Sequence, residues 1–171
     1  MASIHLIERD LHVISVDPNE KPRKESATFR EAKRRLKQDG HMKCYMCGAT
    51  ENLQVHHRAA EYQYGRIVDF ALLKEFCEEW DIYGYGRLLK AQPITTVDDV
   101  RNQMVLCQGQ HTGVDHTDGN MGTGIHDMDF PTFIIQKLAK PGMNPVPQNG
   151  ETAEQVLERI EASLAKEAPQ A

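Results

Sequence analysis

Apolar residues recur at helical spacing in four segments of the chain. Ser26 can cap a helix that continues to about Gln38, in which Phe29, Ala32 and Leu36 share one apolar face. A second amphipathic pattern predicts a helix from about Val68 to Trp80, and Cys77 belongs to its buried face as a small hydrophobic side chain. The same reasoning predicts two further helices, over residues 129–140 and 151–166.

Shorter patterns separate these helices. Alternation of apolar and polar residues over 3–17 predicts two short strands, and Leu53–Arg58 predicts another. Glycines within Tyr83–Arg87 favour a turn with packed tyrosines over a surface that stacks on nucleic acid. Three prolines in 141–150 indicate a linker before the C-terminal helix and tail of 151–171. The chain therefore reads as one α+β domain over 1–140, followed by that linker and helix.

Composition restricts the classes of function. A chain of 171 residues with 40% hydrophobic residues suits one domain with a modest core, which a structural metal would help to hold. No apolar run is long enough to cross a bilayer, and charges interrupt the N-terminus too early for a signal peptide. We therefore expect a cytoplasmic protein without a membrane partner.

The distribution of charge limits how nucleic acid could bind. A net charge of -5 argues against a protein that coats nucleic acid through its overall charge. A local basic run before residue 44 could instead grip phosphates, although a solvated helix face explains it equally well. The candidate contacts in this run are Arg30, Lys33, Arg34, Lys37 and Lys43.

Three cysteines have the spacing of a zinc site. Cys44 and Cys47 form a Cys-x-x-Cys pair, and Cys107 supplies a third thiol later in the chain. In a reducing compartment such thiols are more typical of metal ligands than of disulfides. The position three residues after Cys107 is Gln110, whose amide is a poor zinc ligand. His111 follows immediately and could complete the zinc site as a Cys-x3-His half.

The histidines indicate a second metal and a general base. His56 and His57 lie together at the end of a predicted strand, and His111 and His116 favour a second ion in the same cavity. Phosphodiester hydrolysis needs an imidazole to deprotonate water, a cation beside the phosphate and a neutral group that fixes the imidazole. His57 and Asn102 suit the first and third roles. His126 lies among glycines, which favours a polar residue in a turn over a third histidine contributed to the active site.

Taken together, Cys44-x2-Cys47, Leu53-x-Val55-His56-His57 and Asn102-x4-Cys107 with His111 resemble the HNH nuclease family. The resemblance covers residues 41–58 and 98–116, and it implies a zinc-stabilised ββα-metal, treble-clef-like core with a helical insertion over 59–97. It also implies residue roles: His57 the general base, His56 a ligand of the catalytic ion, Asn102 the residue that orients the base, and His111 the distal ligand.

Gln110 departs from the family pattern, because a fourth cysteine usually stands there. If His111 is used for zinc, His116 or Asp115 would have to hold the catalytic ion. The resemblance implies hydrolysis of DNA that leaves a 5′ phosphate, with structural Zn²⁺ and a catalytic Mg²⁺, Mn²⁺ or other divalent ion. Such proteins occur in bacterial viruses and mobile elements, and this one could act alone or as a homodimer.

Two other functions use the same residues. The first is a zinc-stabilised protein that engages DNA or a protein partner without cutting, and the second is a nuclease that acts on RNA. The need for His57 separates a nuclease from a binder, whereas only the substrate separates DNA cleavage from RNA cleavage.

Overall fold

The computed structural model describes residues 15–18, 24–112, 125–127, 130–147 and 150–167. Most of the predicted N-terminal strand region, and both Asp115 and His116, lie outside the described residues. The described residues form a mixed α+β fold, as expected. Its helices are α1 (Ala27–Gln38), α2 (Phe70–Glu79), α3 (Tyr85–Leu88), α4 (Gln108–His111), α5 (Phe130–Leu138) and α6 (Ala153–Glu167), and its strands are β1 (Leu53–His57) and β2 (Gln103–Cys107).

The two strands form an antiparallel sheet around which the site is built. Leu53 pairs with Cys107 at one end, and His57 pairs with Gln103 at the other. A 3₁₀ turn, Val100–Asn102, leads into β2, and α4 follows β2 without a break. The sheet therefore brings the residues after Cys44 next to those around Cys107, although about fifty residues separate its strands in sequence.

Helix α1 agrees with its prediction. Ser26 is the N-cap, and its side chain accepts a hydrogen bond from Phe29 N at 2.9 Å. Such a cap contributes about 1 kcal/mol. Phe29, Ala32 and Leu36 are buried, and the last two pack in a cluster with Val105 of β2. The apolar face of α1 thus covers one side of the sheet.

The larger core is built from the insertion over 59–97, including α2, together with α5 and α6. Its buried members include Leu73 and Cys77 of α2, Leu138 of α5 and Ile160 of α6. Cys77 is fully buried, which confirms its prediction as a packing residue. The predicted helix over 68–80 is slightly shorter in the structure, because Asp69 caps α2 by accepting from Ala71 N and Leu72 N.

The segment predicted as a linker packs against this core over residues 141–147. Met143 is 2% exposed and belongs to the same apolar cluster as Val156 of α6. Arg159 donates hydrogen bonds to the carbonyls of Gly142 and Asn144, at 2.7 Å and 3.0 Å. The prolines therefore shape an ordered connection, and α6 is part of the same core as α2. Within the described ranges, no helix combines the length and apolar character needed to cross a bilayer.

Candidate metal centre

One group of candidate ligands consists of the three predicted thiols. The sulfur atoms of Cys44, Cys47 and Cys107 all lie within 4.8 Å of one another, and those of Cys47 and Cys107 are 3.7 Å apart. Gly48 makes this turn with a φ of 75°, a conformation that side chains rarely adopt. Its N–H donates to the carbonyl of Cys44, which closes the turn over both thiols.

The electrostatics around Cys44 suit a bound cation. Burial raises the pKa of Cys44, but backbone N–H groups of Cys107, Cys47 and Met46 that point at its sulfur outweigh burial and lower the pKa to about 7. A thiol with such a pKa is readily deprotonated, and the thiolate is the form that binds zinc. Three thiols that converge within bonding range of one ion fit a structural metal.

His111 lies with two other histidines and not with the thiols, which favours its alternative role as a ligand of the catalytic ion over a role as a zinc ligand. Cys107 is the N-cap of α4, and His111 lies at the end of that one-turn helix. From there its ring contacts β1: Nδ1 donates to Gln54 Oε1, and Nε2 lies 3.1 Å from His56 Nδ1. Sequence spacing placed His111 near Cys107 correctly but could not show which way one helical turn directs the ring.

The second group of candidate ligands consists of three imidazoles. His56 Nδ1, His111 Nε2 and His126 Nε2 converge, and the last two atoms are 3.0 Å apart. A tetrahedral ion with ordinary metal–nitrogen bonds holds its ligand atoms roughly 3.3 Å apart. The observed separations are close to that value, so this group also fits a metal ion.

Neighbouring side chains select the nitrogen that each of two rings presents to this group. Gln54 accepts from His111 Nδ1, which leaves the lone pair on His111 Nε2. Glu61 Oε1 lies 3.1 Å from His56 Nε2, although the two atoms are not aligned for a full hydrogen bond. In both rings, the nitrogen that makes this contact points away from the cluster, and the second nitrogen faces it. Metal-binding histidines usually have this arrangement.

His57 lies beside the imidazole group and inside the protein. Its exposed fraction is 0%, and its Nε2 is 2.7 Å from Asp98 Oδ1. Asp98 Oδ2 in turn accepts from Ser26 Oγ at 2.6 Å, so the cap of α1 also holds this carboxylate. His57 Nδ1 is 3.8 Å from Glu61 Oε2 and has no hydrogen-bond partner among the described residues. A carboxylate at this distance favours a proton on Nε2 of His57.

Asn102 was expected to orient His57, and the structure corrects this role. Its Oδ1 accepts from the N–H groups of Ala59 and Ala60, at 3.1 Å and 3.3 Å. Its Nδ2 donates to the carbonyls of Ala60 and Val97, at 2.9 Å and 2.8 Å. Asn102 therefore joins the backbone after β1 to the backbone before β2, whereas Asp98 makes the direct contact with His57.

Glu61 lies between the two adjacent histidines of β1. Burial raises the pKa of its carboxyl group, but the contact with His56 and the nearby rings of His57 and His126 outweigh burial, so the pKa lies below its ordinary value. A buried carboxylate is retained only where cationic or donor groups compensate for lost solvation.

The predicted nucleic-acid contacts lie on or beside the exposed face of α1. Lys33 pairs with Glu25, Arg34 pairs with Glu31, and Arg30 donates to a backbone carbonyl. Lys37 and Lys43 are exposed and have no ion pair within the described part of the chain. Much of the positive charge of α1 is thus compensated by its own acidic neighbours.

Sequence reasoning missed Glu61 and Asp98 as members of the site, and it favoured a turn residue at His126 over a third histidine of the active site. Glu61 follows His57 by four residues, and Asp98 precedes Asn102 by four, so carboxylates near the motif residues were the available signals. His126 stands in a glycine-rich stretch that indicates only a turn. Comparison of the chain with models of protein families, with curated proteins and with solved structures gives no match.

Proposed function

We propose that the protein is a metal-dependent DNA endonuclease of the HNH type, with a zinc-stabilised ββα-metal core. The observation that carries this proposal is the convergence of three imidazoles beside a buried His57–Asp98 pair, together with three clustered thiols. One imidazole, His56, and one thiol, Cys107, lie on paired strands of the same sheet. Zinc suits the thiols and has a structural role there, whereas the imidazoles suit a second, catalytic divalent ion.

The residues around His57 support its role as a general base. Asp98 holds the Nε2 proton, so Nδ1 is the atom that can take a proton from water. Asp98 also stabilises the imidazolium that results. A divalent cation at the imidazole cluster would supply positive charge to the scissile phosphate and the leaving oxygen.

DNA is the substrate that the resemblance implies, and exposed cations offer a limited surface for it. Lys37 at the end of α1 and Lys43 just before the first thiol could contact backbone phosphates. Because few cations are available, we expect binding to weaken only moderately with salt.

Plasmid cleavage tests the proposal. Zinc-loaded protein with Mg²⁺, Mn²⁺, Co²⁺ or Ni²⁺ should convert supercoiled plasmid to nicked plasmid, and His57→Ala should abolish nicking while zinc content stays the same. His41→Ala is the matched control, because His41 stacks on Tyr83 outside both ligand groups. Nicking by His57→Ala at the wild-type rate would refute the assigned role of His57.

A second candidate is a zinc-stabilised protein that binds DNA or a protein partner without cutting. The observation in its favour is the burial of His57, since a general base must meet water and substrate. Such a protein would give no nicking with any of these ions, on DNA or RNA, yet would retain zinc. Gel-shift titration with duplex DNA would then show whether DNA is its partner.

A further inference from the structure

We propose that Glu61 is a positioning residue that orients His56, and that the affinity of the imidazole cluster for its divalent ion therefore depends on Glu61. The inference rests on the metal site in the proposed function, but it does not require that the protein cleaves DNA. It adds a residue that neither the motif spacing nor the family resemblance assigns.

The two oxygens of Glu61 face two different rings. Oε1 is 3.1 Å from His56 Nε2, and Oε2 is 3.8 Å from His57 Nδ1. The side chain is 13% exposed, and His56 and His57 are 3% and 0% exposed. A carboxylate enclosed at this distance favours the proton on the facing nitrogen of His56, because its negative charge attracts an N–H there and repels a lone pair.

The location of that proton decides whether His56 can bind a cation. With the proton on Nε2, the lone pair lies on Nδ1, the atom that faces His111 Nε2 at 3.1 Å. With the proton on Nδ1, an N–H would point into the cluster and exclude the ion. Loss of such an outer contact ordinarily lowers metal affinity about 10- to 100-fold.

The backbone that carries Glu61 is itself held in place. Asn102 binds both the N–H and the carbonyl of Ala60, the residue directly before Glu61. The carbonyl of Glu61 accepts from Tyr64 N at 3.0 Å and so begins a 3₁₀ turn. Glu61 therefore presents its carboxylate from a fixed main chain, as a positioning residue must.

Binding of Co²⁺ to zinc-loaded protein tests this role. Calorimetry and the ligand-field absorption of Co²⁺ should report one second ion per wild-type chain. Glu61→Ala should weaken it about 10- to 100-fold, and Glu61→Gln by a smaller factor, because the amide keeps an acceptor. Asp98→Asn is the matched control. It removes the carboxylate beside His57 Nε2, which is not one of the three clustered imidazoles, and it should change Co²⁺ affinity less than about threefold. Circular dichroism shows that each variant is folded.

A double-mutant cycle separates action through His56 from direct binding. If Glu61 acts through His56, Glu61→Ala should cost no further affinity in a His56→Ala background. Ring ¹⁵N shifts of the zinc-loaded protein should show His56 with its proton on Nε2, and a mixture of tautomers in Glu61→Ala. Two binding results would overturn the proposal: a Glu61→Ala protein that binds Co²⁺ with wild-type affinity, or a wild-type protein that takes up no second ion. It is also overturned if Glu61→Ala lowers the affinity further in the His56→Ala background, or if the His56 tautomer in Glu61→Ala is the same as in wild type. If the expected Co²⁺ and tautomer results are obtained but the protein does not nick DNA, the nuclease function is refuted and the role of Glu61 stands.

Discussion

Replacement of Asn102 separates a structural role from a catalytic one. The side chain is fully buried and makes four hydrogen bonds, all to backbone atoms that follow β1 or precede β2. Asn102→Ala removes them all and leaves the N–H groups of Ala59 and Ala60, and the carbonyls of Ala60 and Val97, without these partners. The backbone after His57 should then lose its attachment to the residues before β2.

The magnitude follows from the number of bonds lost. Each contributes about 1 kcal/mol net, and a buried group left unpaired costs about 1–3 kcal/mol, so Asn102→Ala should lower the free energy of unfolding by about 4 kcal/mol or more. A domain of this size is stable by roughly 5–15 kcal/mol. The variant should therefore be close to unfolding at physiological temperature.

Urea denaturation followed by circular dichroism measures this loss. Gln103→Ala is the matched control, because Gln103 is equally buried but makes only two side-chain hydrogen bonds, from Nε2 to the carbonyls of Val97 and Asp99. It should cost about half as much. An Asn102→Ala protein within about 1 kcal/mol of wild type that nevertheless loses all cleavage would refute the structural role and restore the catalytic one.

Three further predictions concern thiols, ligands and packing. Burial raises the pKa of Cys77 to about 11, so this thiol should react slowly with iodoacetamide. In folded protein from which metal has been removed with a chelator, at about pH 8, exposed Cys47 should be modified while Cys77 stays unmodified. Equal rates of modification at the two cysteines would contradict the packing of α2. His126→Ala should weaken the second divalent ion without loss of zinc, and zinc loss would show that the two ligand groups are not separate. Gly86→Ala should destabilise the fold by about 1–3 kcal/mol, because its Cβ would lie 2.8 Å from a carbonyl oxygen. Gly109→Ala, with nothing within 4 Å of the added Cβ, should leave stability unchanged in thermal melts.

Local signals in the sequence were sufficient for several elements of the fold. The cap at Ser26 and the apolar spacing behind it predict α1, and the structure has the helix at Ala27–Gln38. The predicted strand over Leu53–Arg58 is one residue shorter in the structure. These features depend on neighbours within a few residues, which is why the sequence alone reveals them. Packing of 141–147 against α6 depends on distant residues, and its prolines indicated only an irregular connection.

The site was less predictable because tertiary contacts complete it. The spacing of Cys44 and Cys47 identifies a ligand pair, since two residues between thiols allow both to reach one ion. The direction of the His111 ring depends on β1, and the approach of His126 and Asp98 depends on the packing of segments far apart in sequence. Spacing within a motif therefore showed which chemistry to look for, but not which side chain would hold each ring.

The short path from Cys107 to His111 has a consequence for how the two ions bind. Three residues join a thiol of one group to an imidazole of the other. An ion that fixes Cys107 also restricts where His111 can lie, so it lowers the entropy cost of ordering the second group. We therefore expect the two ions to bind with positive cooperativity, and because such coupling is reciprocal, the ion among the histidines should in turn raise the affinity for zinc.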